Sequence, residues 1–449
     1  MRRTVALLLL SMAIAPALRA APTTTLIYPP WKHCFGLHRV TQTHLTLRAG
    51  FRYKFDNPQG LAAVKLRAED DTTSTRDDDE LTVFGVNSGQ SMLIYNTSLT
   101  AVAFYGAPGS GVGQFRDAHG IAAERSGLVV VADTGNDRLH VLQYEQDKLH
   151  HVRFIAGDFA GQPLRRPLGV ALEAGEIYVC DSGNARVLVL DRQGGLRRVL
   201  APATATGPFL HEPFAIAAIR AGARHNFFGE DFVVVTDSSH SRLVTLFHDG
   251  RVRDVRRSAE LGEQVREFYY VALDLHANVY TSDRSGRLHK FDRKLRYLLS
   301  IGRAGRDEYE FDEPRGLGLY RRFGQLFVAE RAGAHYFWTG TDVFSPRLVE
   351  LQADANGVWS GTVRYFLTEY ARVQLELVDR EERRVVLLQK PRWQNVGAVR
   401  TRVTFQAPAS DGPLRLRVEA VPTYSSRRHL LVRKLGPPLP DLKRSVGEP

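Results

Sequence analysis

The chain has 449 residues, long for one ordinary domain, so two or more bodies are expected. Hydrophobic residues make up 43% and aromatics 10%, which suits packed cores and excludes global disorder. A formal charge of +11, from 60 Lys and Arg against 49 Asp and Glu, makes the surface attractive to anionic partners without naming one.

In chain order, Arg2 and Arg3, an apolar run over 5–15 and the small residues Ala20 and Ala21 read as a secretory signal over residues 1–21, placing the mature chain in the periplasm or outside the cell. The run is shorter than the ~20 residues of a spanning helix, so no transmembrane segment is expected in the mature chain. Cys34 and Cys180 leave one disulfide open as an option. Cys180, inside the apolar stretch IYVCD, reads as a small buried hydrophobe.

Residues 117–157 contain four short apolar runs separated by Gly-, Asn-, Asp- and Lys-rich breaks, the pattern of a four-stranded antiparallel meander. The pattern returns at 166–200, 212–255, 268–302 and 313–340, and in degenerate form at 57–106. The last copy lacks a fourth strand, whereas residues 43–50 (THLTLRAG) end as fourth strands do elsewhere and have no copy of their own. An all-β, closed six-bladed propeller over 43–350 is expected, its last blade completed by this N-terminal strand, because closure removes an unpaired sheet edge.

These residues resemble the NHL-repeat family. The match lies in Asp133, Gly135, Asn136 and Arg138 and in Asp181, Gly183, Asn184 and Arg186. The fourth and fifth copies keep Asp237 with Arg242 and Asp283 with Arg287, while the outer copies carry Asn87 and Glu330. The resemblance implies a propeller and leaves function open, since such propellers host binders and enzymes alike. The recurrent Asp is expected to be structural, accepting backbone N–H groups of the following turn and pairing with the Arg.

From Gly357 the sequence alternates apolar and polar residues with turns near Asp379 and Asp411. A β-sandwich over 357–435 is expected, resembling the immunoglobulin-like FlgD type, followed by a disordered tail over 436–449.

In a blade, the innermost strand starts on the face that carries the turn between the second and third strands. The residues before each first-strand Gly, or its equivalent, therefore ring the channel mouth: Gln59, His119, Leu168, Phe214, Tyr269 and Arg315. The phrase DAHGIA around His119 resembles the zinc-binding phrase of the peptidyl-hydroxyglycine amidating lyases, secreted relatives of this family. A catalytic zinc takes about three protein ligands. The other ring positions are Gln, Leu, Phe, Tyr and Arg, and His240 could join only if its loop folds inward. Calcium-dependent six-bladed lactonases compare on architecture, but the ring offers Gln59 and no acid. The acidic insertion over 68–80 lacks EF-hand spacing. By strand direction, the insertions at 67–79 and 220–230 fall on the face opposite the mouth, where they would suit partner contact. Arg284, Arg315 and Arg331 could form a basic face, but the signal argues against nucleic acid as the counterpart.

The sequence thus reads as an exported, non-enzymatic scaffold, without cofactor, whose propeller face binds a protein, peptide or anionic glycan. The alternative is an exported metal-dependent lyase or hydrolase, using zinc or calcium, with His119 as metal ligand, Tyr269 as acid/base and Arg315 as anion clamp.

Overall fold

The computed structural model describes residues 23–29, 37–68, 81–98, 101–200, 203–204, 207–406, 412–440 and 442. The expected signal over 1–21, Cys34 and residues 69–80 of the acidic insertion lie outside these. Cys180 is a buried free thiol.

Each repeat forms one antiparallel sheet, because its apolar runs are strand-length and its breaks carry turn residues. The first sheet is Pro58–Val64, Thr82–Asn87, Met92–Asn96 and Val102–Tyr105; the second is Ile121–Ala123, Leu128–Asp133, Arg138–Glu145 and Lys148–Ile155. The third is Pro167–Glu173, Glu176–Asp181, Arg186–Asp191 and Leu196–Leu200; the fourth is Ile216–Ile219, Phe232–Asp237, Arg242–Leu246 and Val252–Arg257. The fifth is Val271–Leu273, Val279–Asp283, Arg287–Phe291 and Tyr297–Ile301. The sixth has Leu317–Tyr320, Gln325–Glu330 and Gly333–Thr339, and two N-terminal strands, Leu26–Ile27 and Arg39–Thr41, pair with its outer edge. Apolar cores fill the spaces between successive sheets, as where Phe84 and Val86 of the first meet Val129 and Leu142 of the second.

The N-terminal edge comes from residues upstream of those expected. Residues 43–50 contribute not a strand but the helix Gln42–Ala49. Leu45 and Leu47 alternate like strand residues, yet Leu45 is buried and Leu47 is 78% exposed. Thr41 enters the helix in an extended conformation and its N–H donates to His44 Nδ1 at 3.1 Å, which turns the chain off the sheet.

The first-strand glycines mark where neighbouring sheets meet backbone to backbone. A Cβ on Gly60 would lie 2.8 Å from the His119 carbonyl oxygen, on Gly120 2.4 Å from that of Leu168, and on Gly169 2.6 Å from that of Phe214. On Gly316 it would lie 2.1 Å from the Gln59 carbonyl oxygen, so the sixth sheet abuts the first in the same way.

The recurrent carboxylates lock each turn to its own sheet. Asp133 accepts the Arg116 N–H at 2.8 Å and Arg138 Nε at 2.7 Å, and Asn136 Nδ2 reaches both its oxygens. Asp181 repeats this with the Arg165 N–H at 2.9 Å and Arg186 at 2.7 Å; Asp237 does so with the His211 and Glu212 N–H groups and Arg242 at 2.7 Å. These backbone donors lie on the segment entering the first strand, not in the following turn as expected. The fifth copy has the expected turn donor, the Ser285 N–H at 2.8 Å from Asp283, and departs in its arginine. Asp283 is met by His289 Nε2 at 3.0 Å, while Arg287 donates to the Glu263 and Gln264 carbonyls at 3.1 and 3.2 Å. In the outer copies Asn87 accepts the Asp56 N–H at 2.7 Å and Glu330 the Asp312 N–H at 2.9 Å.

A second pair of sheets follows. Val343–Ala353, Val358–Leu367 and Gly397–Gln406 form one; Arg384–Gln394, Ala371–Val378, Arg415–Pro422 and Val432–Pro438 form the other. They share a core around Trp359, Val363, Val373, Leu375, Leu416 and Val418. Because Val343–Ala353 pairs with Val358–Leu367, this unit begins near 343 rather than at 357. Its end also differs from expectation: Gly436 to Pro438 finish a strand, and Leu439 and Leu442 pack on the core. The rest of the expected tail, apart from Pro440, lies outside the described residues.

Candidate functional site

Several of the expected mouth residues come together and bond or stack on one another. Tyr269 and Tyr270 both donate their hydroxyls to Gln59 Oε1, at 3.2 and 3.1 Å, and Gln59 Nε2 donates to Asn57 Oδ1 at 2.9 Å. Phe214 stacks on Tyr269 with ring centroids 4.8 Å apart. Gln59, Phe214 and Tyr269 are all buried, and Leu168 is buried in the same core cluster as Phe214 and Tyr269. Tyr270 is a further member of this group that the sequence did not single out, because it occupies the position where four of the other copies have glycine and the fourth copy has Ala215.

Polar groups surround these side chains. Ser238, Ser239 and His240 all take positive φ, 54, 53 and 70°, which curls their loop inward. The His240 ring then meets Phe214 at 4.5 Å and Tyr269 at 4.7 Å. Arg284 lies over Tyr269 at 4.4 Å and is held by Glu267 through contacts of 2.8 and 2.9 Å. Arg315 bonds Asn57 Oδ1 and, at 3.1 Å, Glu313. His119 donates from Nδ1 to the Asp117 carbonyl at 2.8 Å, which leaves Nε2 as its ligand-capable nitrogen. Burial lowers the pKa of both His119 and His240, and it raises that of Tyr269. The histidines are therefore neutral near pH 7, and Tyr269 holds its proton.

Beside the mouth, Arg165, Arg166, His211, Glu212, Ser238 and Ser239 line an open hollow between the third and fourth sheets. An apolar cleft also lies between the first and sixth sheets, lined by Val40, Leu45, Phe55, Leu61, Val83 and Ile94.

One group of metal-ligand types occurs among the described residues, and it is not at the mouth. Asp274, His276 and Glu369 bring ligand atoms within 4.8 Å of one another, fully buried where the fifth sheet meets the second pair of sheets. Glu369 Oε1 accepts His276 Nδ1 at 2.9 Å, Asn278 Nδ2 at 3.1 Å and the Tyr370 N–H at 2.9 Å, and Lys290 Nζ contacts Oε2. The lysine supplies the cation and both oxygens are occupied. This donor set fits an ion-pair network across a junction better than an open metal centre. Phe227 and Phe228, in the 220–230 insertion, pack on Tyr370 at 5.2 and 5.4 Å. The partner of that insertion is thus the chain's own second unit. Sequence offered no signal for the network, since Asp274 and His276 look like ordinary turn residues.

An NHL-repeat family model matches residues 164–190, which cover most of the first three strands of the third sheet. No curated protein matches the chain. Among solved structures, the chain is similar to a protein provisionally labelled a gluconolactonase, at 13% identity and a TM-score of 0.42, over 67% of this chain and 97% of that one. It is also similar to a chain of a nidogen/laminin complex, at 15% identity and a TM-score of 0.40, over 56% and 85% of the two chains. A protein of unknown function from Bacteroides caccae matches at 11% identity and a TM-score of 0.37, over 54% and 80%. Likenesses this distant carry no functional argument. Among the described residues, no helix is long and apolar enough to cross a membrane.

Proposed function

We propose that the chain is an exported binding protein whose six sheets close as a six-bladed propeller, with an immunoglobulin-like sandwich docked away from the mouth. The mouth face takes a protein, peptide or anionic glycan. The observation that carries this reading is the mutual bonding of the expected mouth residues. Gln59, Tyr269 and Tyr270 satisfy one another and Phe214 stacks on Tyr269, so these buried side chains leave no open cleft for a small substrate, and Arg284, Arg315 and two neutral histidines border them. Arginine is enriched at macromolecular interfaces, and Arg284 is the more exposed of the two arginines here.

A metal-dependent lyase or hydrolase is the second reading. It is favoured by the tautomer of His119, whose Nδ1 bond to Asp117 leaves Nε2 available for a metal.

Affinity capture from the native envelope fraction tests the first reading. The wild-type chain should retain a species that a combined His240→Ala and Arg284→Ala variant releases. Stoichiometric zinc or calcium whose chelation lowers thermal stability, or turnover abolished by His119→Ala, would overturn it in favour of the second.

A further inference from the structure

A second surface lies on the three-stranded sheet that contains Val358–Leu367. Its antiparallel register sets Arg347 opposite Arg364 and Arg364 opposite Arg400, so three arginines form one row across the strands. Arg402 stands opposite Thr362 in the adjacent row. Val363, Tyr365 and Val403 alternate with these residues and face the core, which directs the arginines to the outer face. Arg347, Arg400 and Arg402 are exposed, and the Arg364 side chain is 42% exposed.

Side chains directly opposite each other in antiparallel strands lie about 5 Å apart, and like charges placed so destabilise the sheet. Glu350 is the one carboxylate in ion-pair contact with this row among the described residues. It pairs with Arg364 and accepts the Thr362 hydroxyl at 2.6 Å. The Thr362 bond, with Arg364, Arg400 and Arg402 nearby, holds its carboxyl below the usual range. Arg347, Arg400 and Arg402 have no hydrogen-bond or close ion-pair partner among the described residues. One carboxylate therefore answers four guanidinium groups.

We infer that this face binds a linear anionic polysaccharide whose carboxylate or sulfate groups bridge successive arginines. Guanidinium groups match such anions with paired N–H donors. The outward neighbours Gln352, Ser360 and Thr404 supply the amide and hydroxyl groups that sugar hydroxyls need. The aromatic rings on this side, Phe344 and Phe366, pack against the fifth sheet, which leaves no stacking platform for nucleic-acid bases. None of the three strands carries an exposed large apolar side chain that could enter a membrane. The surface is separate from the propeller mouth and stands or falls independently of it.

The full-length protein is titrated with polygalacturonate and with heparin at low and at physiological salt. At least one polymer should bind, more weakly as salt rises. Combined Arg347→Gln, Arg400→Gln and Arg402→Gln should lower that affinity about tenfold or more, with thermal stability unchanged or raised because the repulsion is relieved. The inference is overturned if neither polymer binds, or if the triple variant binds as the wild type does. Tighter binding of single-stranded DNA or phosphatidylserine vesicles than of both polymers overturns it too. So does a fall in thermal stability of the triple variant, since the arginines would then be stabilising the sheet rather than awaiting a partner.

Discussion

Lys290 and Glu369 form a wholly buried ion pair that joins the fifth sheet to the second pair of sheets. Around it, His276 and Asn278 donate to the same carboxylate, and the Tyr424 hydroxyl accepts the Leu275 N–H at 3.2 Å. Two units that sequence presents as successive thereby become attached bodies. Burial and the nearby Glu369 carboxylate push the Asp274 pKa up to about 6, which marks how dry the junction is.

Replacing Lys290 with Met leaves the Glu369 carboxylate buried without its cation. Removal of one partner from a buried pair costs about 3–5 kcal/mol, and the remaining donors place this case near the lower bound. The double variant Lys290→Met, Glu369→Gln should recover much of the loss. Urea unfolding of the three proteins decides; a single variant as stable as the wild type refutes a structural role for the pair.

Arg39 should behave as a member of the sixth sheet's turn. Its guanidinium meets Glu330 at 2.9 Å, in the role that Arg138, Arg186 and Arg242 play for their own carboxylates. Arg39→Ala leaves a carboxylate that is 2% exposed short of its cation, a loss of about 1–3 kcal/mol. Hydrogen exchange should report faster opening of Gly333–Thr339, the strand that the N-terminal segment covers. Unchanged protection there would contradict this assignment.

Acid sensitivity should centre on His140. Its ring is enclosed by Phe115 and Phe154 at 4.9 and 4.7 Å and bonds His151 at 2.9 Å. Burial, then the neighbouring His151 and Arg138, lower its pKa to about 3. The unfolded chain takes up this proton near pH 6.5, so between about 3 and 6.5 the unfolded state binds more protons and stability falls as pH falls. Asp274 works the other way: its folded pKa near 6 exceeds the unfolded value of about 3.9, so its contribution improves as pH falls through that window. The His140 window is the wider, and net acid destabilisation is expected. In His140→Phe, denaturation midpoints measured from pH 7 to pH 4 should fall less steeply; an identical slope rules out this histidine as the cause.

Gly120→Ala should be costly although the added group is one methyl. The new Cβ would meet the Leu168 carbonyl oxygen at 2.4 Å and the Val170 nitrogen at 2.8 Å, both backbone atoms with little room to retreat. A loss of at least about 1–3 kcal/mol is expected. The reverse change in the fourth copy, Ala215→Gly, relieves nothing and should cost no more than about 1 kcal/mol. Comparable thermal midpoints for the two variants would argue against the close approach.

Sequence by itself determined the first five sheets, because each is built from neighbours in the chain: alternating apolar runs, turn residues and, in the second and third, a carboxylate three and five residues from its side-chain partners. Asp133 with Asn136 and Arg138 is legible for that reason. Only tertiary structure decided which N-terminal residues complete the sixth sheet, since Arg39 and Glu330 are 291 positions apart and residues 43–50 carry an equally strand-like pattern. It also decided that Gln59 accepts from Tyr269 and Tyr270, over 210 and 211 positions, so side chains expected to face a ligand bond one another. The Lys290–Glu369 junction and the arginine row belong with these. Periodicity reports the face a residue occupies, whereas the partner across a gap depends on packing that no local pattern contains.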